Sequence, residues 1–252
     1  MTAARSYKTD AIVLRARSLG EADKIFTLFT RERGKIDAVG KGVRRAQSRL
    51  GGRLEFGCEA ALTMHRGRSL DVVTGAELVR SRFLALAAPG AYATAHVIVE
   101  LVDAFCEPDH PEPEIYRLLG GALDAACASG GPAAVVPRFE LRLLGALGVG
   151  PADAACVRCE GDLPVAWADP EAGGLACAAC RPYRADALAL DAREVAQFRA
   201  LGAARGAGAG TAASLGTARA VESFVTHHLG RRPRAFRLLE ELSAPPRPAA
   251  PP

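Results

Sequence analysis

The sequence predicts a multidomain α+β chain: a small N-terminal β-barrel, then an α-helical domain with a four-cysteine zinc motif embedded in it. Three observations carry this. Residues 7–80 break into five short segments rich in Val, Ile, Leu, Thr and Phe, each closed by a turn signal. Beyond Ala87-Ala88-Pro89-Gly90 the apolar residues recur at helical spacing. Finally, Cys156-Val-Arg-Cys159 is followed, after seventeen residues, by Cys177-Ala-Ala-Cys180.

The strand segments are KTDAIVLRARS, DKIFTLFTRE, KIDAVGKG, LEFGCEAALTMHRG and LDVVTGAELVR. Leu19-Gly20-Glu21, Glu32-Arg33-Gly34, Gly51-Gly52 and Arg66-Gly67-Arg68 separate them. Five strands in so short a span suit a closed barrel. The five-stranded Greek-key form that binds oligonucleotides, the OB-fold, is the commonest solution. An SH3-like barrel has the same periodicity and competes with it. This sets a first domain at residues 1–82.

Three helical stripes follow: Val97, Ile98, Leu101, Val102 and Phe105; then Ile115, Leu118, Leu119, Ala122, Leu123 and Ala126; then Val136, Phe139, Leu143 and Leu147. Pro108, Pro111 and Pro113 punctuate the first gap, and Ser129-Gly130-Gly131-Pro132 the second. The cysteine motif is an insertion at about 151–183. Further helices are expected at 191–201, Ala218–Leu229 and Phe236–Leu242, so the helical domain spans 83–243. The Gly/Ala-rich stretch 202–216 reads as a linker, and the Pro-rich tail 244–252 as disordered.

Composition narrows the function classes. Of 252 residues, 49% are hydrophobic and 24% charged, ordinary values for a globular protein. Whole-chain disorder, collagen and a disulfide miniprotein are excluded. The stretch Phe83–Val99 is too short and too broken by Pro89, Gly90 and His96 to span a membrane. The N-terminus has no apolar core of a secretory signal, so a reducing cytoplasm is expected, where cysteine means metal, core or catalysis. The 28 Arg against 4 Lys reads as codon bias. Residues 1–82 hold 17 basic and 9 acidic residues, and residues 83–252 hold 15 and 19. A basic barrel joined to a mildly acidic remainder points to an anionic partner for the barrel, nucleic acid before membrane.

Four thiolates from two C-x-x-C knuckles match the ligand set of a structural zinc, and Asp169-Pro170 and Gly173-Gly174 supply the hairpin that returns the second pair. Cys156, Cys159, Cys177 and Cys180 are therefore the candidate ligands. Four thiolates close the coordination sphere, which disfavours a catalytic zinc. The nearby Asp153, Asp162, Asp169 and Glu171 read as solvated hairpin charges, and Cys58, Cys106 and Cys127 as buried free thiols. Neither a nucleophile elbow nor a P-loop occurs, and Gly206, Gly208 and Gly210 follow no strand, so no enzyme is expected.

The second signal is basic. Arg31, Arg33, Lys35, Lys41, Arg44, Arg45, Arg49 and Arg53 crowd one stretch, and Ala38–Leu54 contains no acid. Such density neutralises phosphates and releases counterions, giving sequence-tolerant, salt-sensitive binding. Aromatic interleaving is thin: Tyr7, Phe26, Phe29 and Phe56, of which at least one of Phe26 and Phe29 must be core.

Ala11–Lys35 (AIVLRARSLGEADKIFTLFTRERGK), Ala38–Phe56 (AVGKGVRRAQSRLGGRLEF) and Arg138–Gly148 (RFELRLLGALG), the last followed by C-V-R-C, resemble the bacterial recombination mediator RecO family over about residues 7–240. The resemblance implies a non-enzymatic DNA-repair protein, cytoplasmic and nucleoid-associated, with an OB-fold, a helical domain and a structural zinc. It implies binding of single- and double-stranded DNA, annealing of complementary strands, and cooperation with RecR to load RecA onto SSB-coated DNA. It also suggests that the acidic-hydrophobic C-terminal tail of SSB docks on the helical domain. Arg138 and Arg142, with Arg117, are the only basic residues between 83 and 150 and so the candidate carboxylate partners. The Gly/Ala linker and Pro-rich tail depart from the family pattern. The rival classes are a zinc-ribbon OB-fold RNA-binding or transcription factor, marked by recognition of the 2′-OH, and a nucleic-acid enzyme, which would need a Mg²⁺-binding carboxylate cluster.

Overall fold

The computed structural model describes residues 5–128, 132–184, 186–203 and 212–243. Most of the Gly/Ala-rich linker and the Pro-rich tail therefore lie outside the described residues.

Strands β1 (Ser6–Leu19), β2 (Asp23–Thr30), β3 (Gly34–Gly40), β4 (Glu59–His65) and β5 (Asp71–Arg80) form a closed barrel in the order β1-β2-β3-β5-β4. All neighbours are antiparallel except β3 and β5, which are parallel. β1 is long enough to serve two partners. Its first half pairs with β4, its second with β2, and an irregularity between Val13 and Arg15 marks the change.

Alternation along the strands makes two cores. Ala11, Val13, Phe26, Leu28, Ile36, Ala38, Leu62 and Met64 fill the barrel. Ile12, Leu14 and Phe29 point outward and join the core of the helical domain. The unbroken apolar run Ala11–Leu14 is thus buried on both faces. Phe26 and Phe29 are both fully buried, one in each core, so neither offers a ring to a base.

Helices α1 (Pro89–Phe105), α2 (Pro113–Cys127) and α3 (Pro132–Ala146) pack on one another and are followed by the cysteine-bearing hairpin. Proline opens each of the three, where its missing N–H costs nothing. α4 (Ala192–Gly202) starts on a capping box of Asp191 and Glu194. α5 (Leu215–Leu229) starts on Ser214 and ends on Gly230 at φ 65°. α6 (Ala235–Ser243) docks against α1 because the Glu100 carboxylate accepts the backbone N–H groups of Arg234 and Ala235 at 2.9 and 2.6 Å. Among the described residues no helix is long and apolar enough to cross a membrane.

Among the polar contacts that fasten barrel to helices, two groups stand out. Arg82 is almost fully buried at the domain border. Its Nε lies 2.7 Å from Asp124, its Nη1 donates to the Gly57 carbonyl at 2.8 Å and its Nη2 to the Gly120 carbonyl at 3.2 Å. The second fastening is the proline-punctuated loop after α1. The Asp109 N–H donates to the Lys35 carbonyl at 2.9 Å, extending the barrel edge at β3. Gly34 permits this approach: it sits at φ 65°, and a Cβ there would lie 1.8 Å from the His110 carbonyl oxygen.

Candidate metal centre and nucleic-acid interface

The four cysteines of the two knuckles converge. Their sulfurs all lie within 4.8 Å of one another. In the first knuckle the Glu160 N–H returns to the Cys156 carbonyl at 2.8 Å, with Glu160 at φ 60°. In the second, the Cys180 N–H returns to the Cys177 carbonyl at 3.1 Å. β6 (Ala166–Asp169) and β7 (Gly174–Ala176) bring the knuckles together through a reversal at Pro170–Gly173, and β8 (Ala189–Leu190) flanks β6. Asp169 is not a solvated charge as the sequence suggested. It is buried, pairs with Arg158 at 2.7 Å and accepts the Ala172 N–H at 3.2 Å, which fixes the hairpin turn. Arg199 of α4 donates to the carbonyls of Asp153 and Ala154 at 2.7 and 3.1 Å, tying the first knuckle to the helices.

The donor set fits a tetrahedral metal ion. Cys159 Sγ and Cys177 Sγ are 3.7 Å apart, close to the edge of a tetrahedron built on metal–sulfur bonds of about 2.3 Å. Burial raises the Cys156 thiol, but N–H donors from Cys177, Arg158 and Cys159 outweigh it and bring the thiol down to about 6. The Cys180 thiol is pushed up to about 12, chiefly by Cys159 and then by burial and the other two thiols. Four sulfurs this close cannot all ionise without a cation among them. Elsewhere Cys58 and Cys106 are buried and Cys127 half-buried, free thiols in each case.

The eight basic residues singled out in the sequence part into two groups. Arg31 pairs with Asp10 at 3.7 Å and lies over the Tyr116 ring. Arg33 donates to Tyr7 Oη at 2.7 Å and to Asp71 at 2.6 Å, and forms a short contact with Asp109. Lys35 is largely buried, pairs with Asp103 at 3.3 Å and donates to the Asp103 carbonyl. These three serve the barrel and its junction. Lys41, Arg44, Arg45, Arg49 and Arg53 are exposed and, among the described residues, have no carboxylate partner. They lie on the long excursion between β3 and β4, which Val43 and Leu54 pin into the barrel core. Arg44 rests on the Gly20 carbonyl at 3.2 Å, and Arg53 on the carbonyls of Arg49 and Ala76 at 2.6 and 3.4 Å.

The remaining candidate aromatics are also engaged. Phe56 stacks on His96 at 4.3 Å. Tyr7 donates to Asp71, and burial followed by that bond pushes its phenol up to about 12. The exposed loop is therefore an electrostatic surface without a stacking platform.

Arg117, Arg138 and Arg142 meet at a cavity of about 540 Å³ between α2 and α3, floored by Leu118, Ala122, Val135 and Phe139. Among the described residues Arg138 Nη1 has no hydrogen-bond partner, and burial and then Arg142 lower its affinity for its proton. Two features of the charged surface and border gave no sign in the sequence patterns above. One is Arg82, which only its border position distinguishes. The other is the basic turn carrying Arg231, Arg232, Arg234 and Arg237, although the acid-free stretch 223–239 was legible.

Comparison with known proteins covers nearly the whole chain. The family profile described as Recombination protein O N terminal matches residues 1–82, and Recombination protein O C terminal matches residues 87–236. The chain is 42% identical over 195 residues to a DNA repair protein RecO of Bifidobacterium longum, covering 76% of this chain and 78% of that one. It is 38% identical over 246 residues to that of Bifidobacterium adolescentis, covering 93% and 99%. Against that of a Nocardioides species it is 40% identical over 183 residues, covering 69% and 74%.

Proposed function

This chain belongs to the RecO family of recombination and DNA-repair proteins, and from that membership we propose that it is a DNA-binding recombination mediator acting without catalysis. It anneals complementary single strands and, with RecR, helps RecA load onto SSB-coated DNA. The observation that carries the DNA-binding part is the loop of five exposed cations, Lys41, Arg44, Arg45, Arg49 and Arg53, with no carboxylate partner among the described residues. Cations without intramolecular carboxylate partners are those whose counterions a phosphate chain can release. The barrel's strand order, with β3 parallel to β5, supports the OB-fold reading over the SH3-like one.

We assign the four-cysteine centre to a structural zinc held by Cys156, Cys159, Cys177 and Cys180. Bound there, the ion would clamp the hairpin to the helical core, and its four thiolates leave no position for water. The cavity between α2 and α3 suits the acidic-hydrophobic tail of SSB: an apolar floor for its side chains, with Arg117, Arg138 and Arg142 for its carboxylates.

The deciding experiment is annealing of complementary oligonucleotides, bare and SSB-coated, in the absence of nucleotide. Acceleration of both is expected. A folded, metal-loaded protein that binds DNA without accelerating either would reject the mediator reading. Preference for RNA over DNA would favour the RNA-binding alternative.

A further inference from the structure

A groove of about 700 Å³ runs between the barrel and the C-terminal helices, apart from the 41–53 loop and the α2–α3 cavity. β1 contributes Arg15, α1 contributes Glu100 and Asp103, and the turn into α6 contributes Arg231 and Arg234. Arg237 lies outside the lining itself, but it follows Arg234 at i+3 and is exposed. Residues 223–239 contain four arginines and no acid, inside the half of the chain that is acidic as a whole.

The groove's own carboxylates are already engaged. Asp103 faces Arg15 at 3.5 Å and Lys35 at 3.3 Å. Glu100 pairs with Arg231 at 3.3 Å and caps α6. Among the described residues Arg234 and Arg237 have no ion-pair partner, whereas the neighbouring Arg232 is held between Glu222 and Glu240 at 2.5 and 2.6 Å. The lining holds three arginines against two carboxylates, so its balance is positive, and Arg234 is the lining cation left without an ion-pair partner among the described residues.

We propose that this groove is a second phosphate-binding surface, which holds the backbone of a second DNA strand while the 41–53 loop holds the first. The inference rests on the DNA-binding reading above and adds a place for the other strand. The lining of the groove includes no residue of the loop. Arg15 is separated from Gly20, on which Arg44 rests, by five residues of largely extended chain, roughly 16 Å at strand rise. That exceeds the Debye length of about 8 Å at physiological ionic strength, so two phosphate chains so placed repel only weakly. Annealing needs this condition: two strands on one protein, each neutralised locally.

The test uses the full-length, metal-loaded chain and two non-complementary oligonucleotides, one carrying a donor dye and the other an acceptor. Energy transfer reports both strands on one protein, and anisotropy of one strand alone reports the first site. In Arg234→Glu/Arg237→Glu, second-strand affinity is expected to fall about tenfold or more and first-strand affinity less than about threefold, with annealing slowed alongside. Arg44→Glu/Arg45→Glu should instead weaken the first strand. Wild-type energy transfer in the folded groove variant, with the loop variant impaired, would overturn the second surface and leave the DNA-binding reading standing. Wild-type behaviour of both variants would overturn both. Equal loss of first-strand affinity in both would make them one continuous site and overturn the second-strand assignment. Arg234→Gln/Arg237→Gln, which adds no repulsion near Glu240, answers the same question if circular dichroism shows the Glu variant unfolded.

Discussion

Arg33 and Lys35 at the start of β3 and Arg44 and Arg45 in the loop that follows that strand belong to one basic run, yet they do opposite things. The first pair is drawn into contacts with Asp71 on β5, Asp109 in the loop after α1 and Asp103 on α1, which brace the barrel and its junction with the helices. Among the described residues the second pair meets no carboxylate, and it faces solvent. Both groups add equally to the barrel's formal charge, but only the second leaves its charge available to a partner. Charge counted along a chain measures attraction to a polyanion only after intramolecular ion pairs are subtracted. Arg82 shows the same effect at its extreme, a cation that a charge count assigns to a binding surface and the fold spends on the domain border.

The comparison breaks most readily at Arg82. Arg82→Met leaves the carbonyls of Gly57 and Gly120 without their donor and Asp124 and Glu59 without their buried cation. Loss of about 3 kcal/mol is expected, at the low end for a broken buried pair because Asp124 keeps some solvent. Urea denaturation measures it, and an unchanged midpoint would remove Arg82 from the junction.

Arg33→Gln should cost less, about 1 to 2 kcal/mol, because the guanidinium is part-exposed and its partners can rehydrate. Its effect should depend on pH in a definite direction. Burial raises the Asp71 carboxyl, but hydrogen bonds from Tyr7 and Arg33 outweigh it and hold the group below its ordinary range. A carboxyl with its folded value depressed adds stability above its unfolded value and loses it as pH falls. The gap between wild type and Arg33→Gln should therefore narrow in acid. A gap that widens there would mean that Arg33 acts through another partner. The salt dependence of DNA binding should be unaffected by this substitution.

Arg44→Glu/Arg45→Glu should change folding stability least, by no more than about 0.5 kcal/mol. It should lower the log–log salt slope on single strands by about 0.7 for each phosphate that is no longer neutralised, whatever the sequence. Anisotropy across a salt series reads this. If Arg33→Gln changed the slope and the loop variant did not, the roles of the two halves of the basic run would be reversed.

Much of this molecule was written locally. Strand and helix positions follow from apolar period and from Pro, Gly and Asp/Ser punctuation. The pair of C-x-x-C knuckles with a turn between them specified four converging sulfurs, because each knuckle closes within a few residues.

Contacts between residues distant in sequence decided the rest. Nothing near Gly34 foretells that His110 will press against it, or that Asp109 will reach Arg33. Asp169 resembles any hairpin acid until Arg158 folds over it. The groove that joins Arg15 to Arg231 and Arg234 spans more than two hundred residues of chain. An ionisable side chain is charged and hydrophilic wherever it stands in a sequence. Whether it binds a partner or braces the fold depends on which opposite charge the folded chain brings within about 4 Å, and only tertiary structure sets that distance.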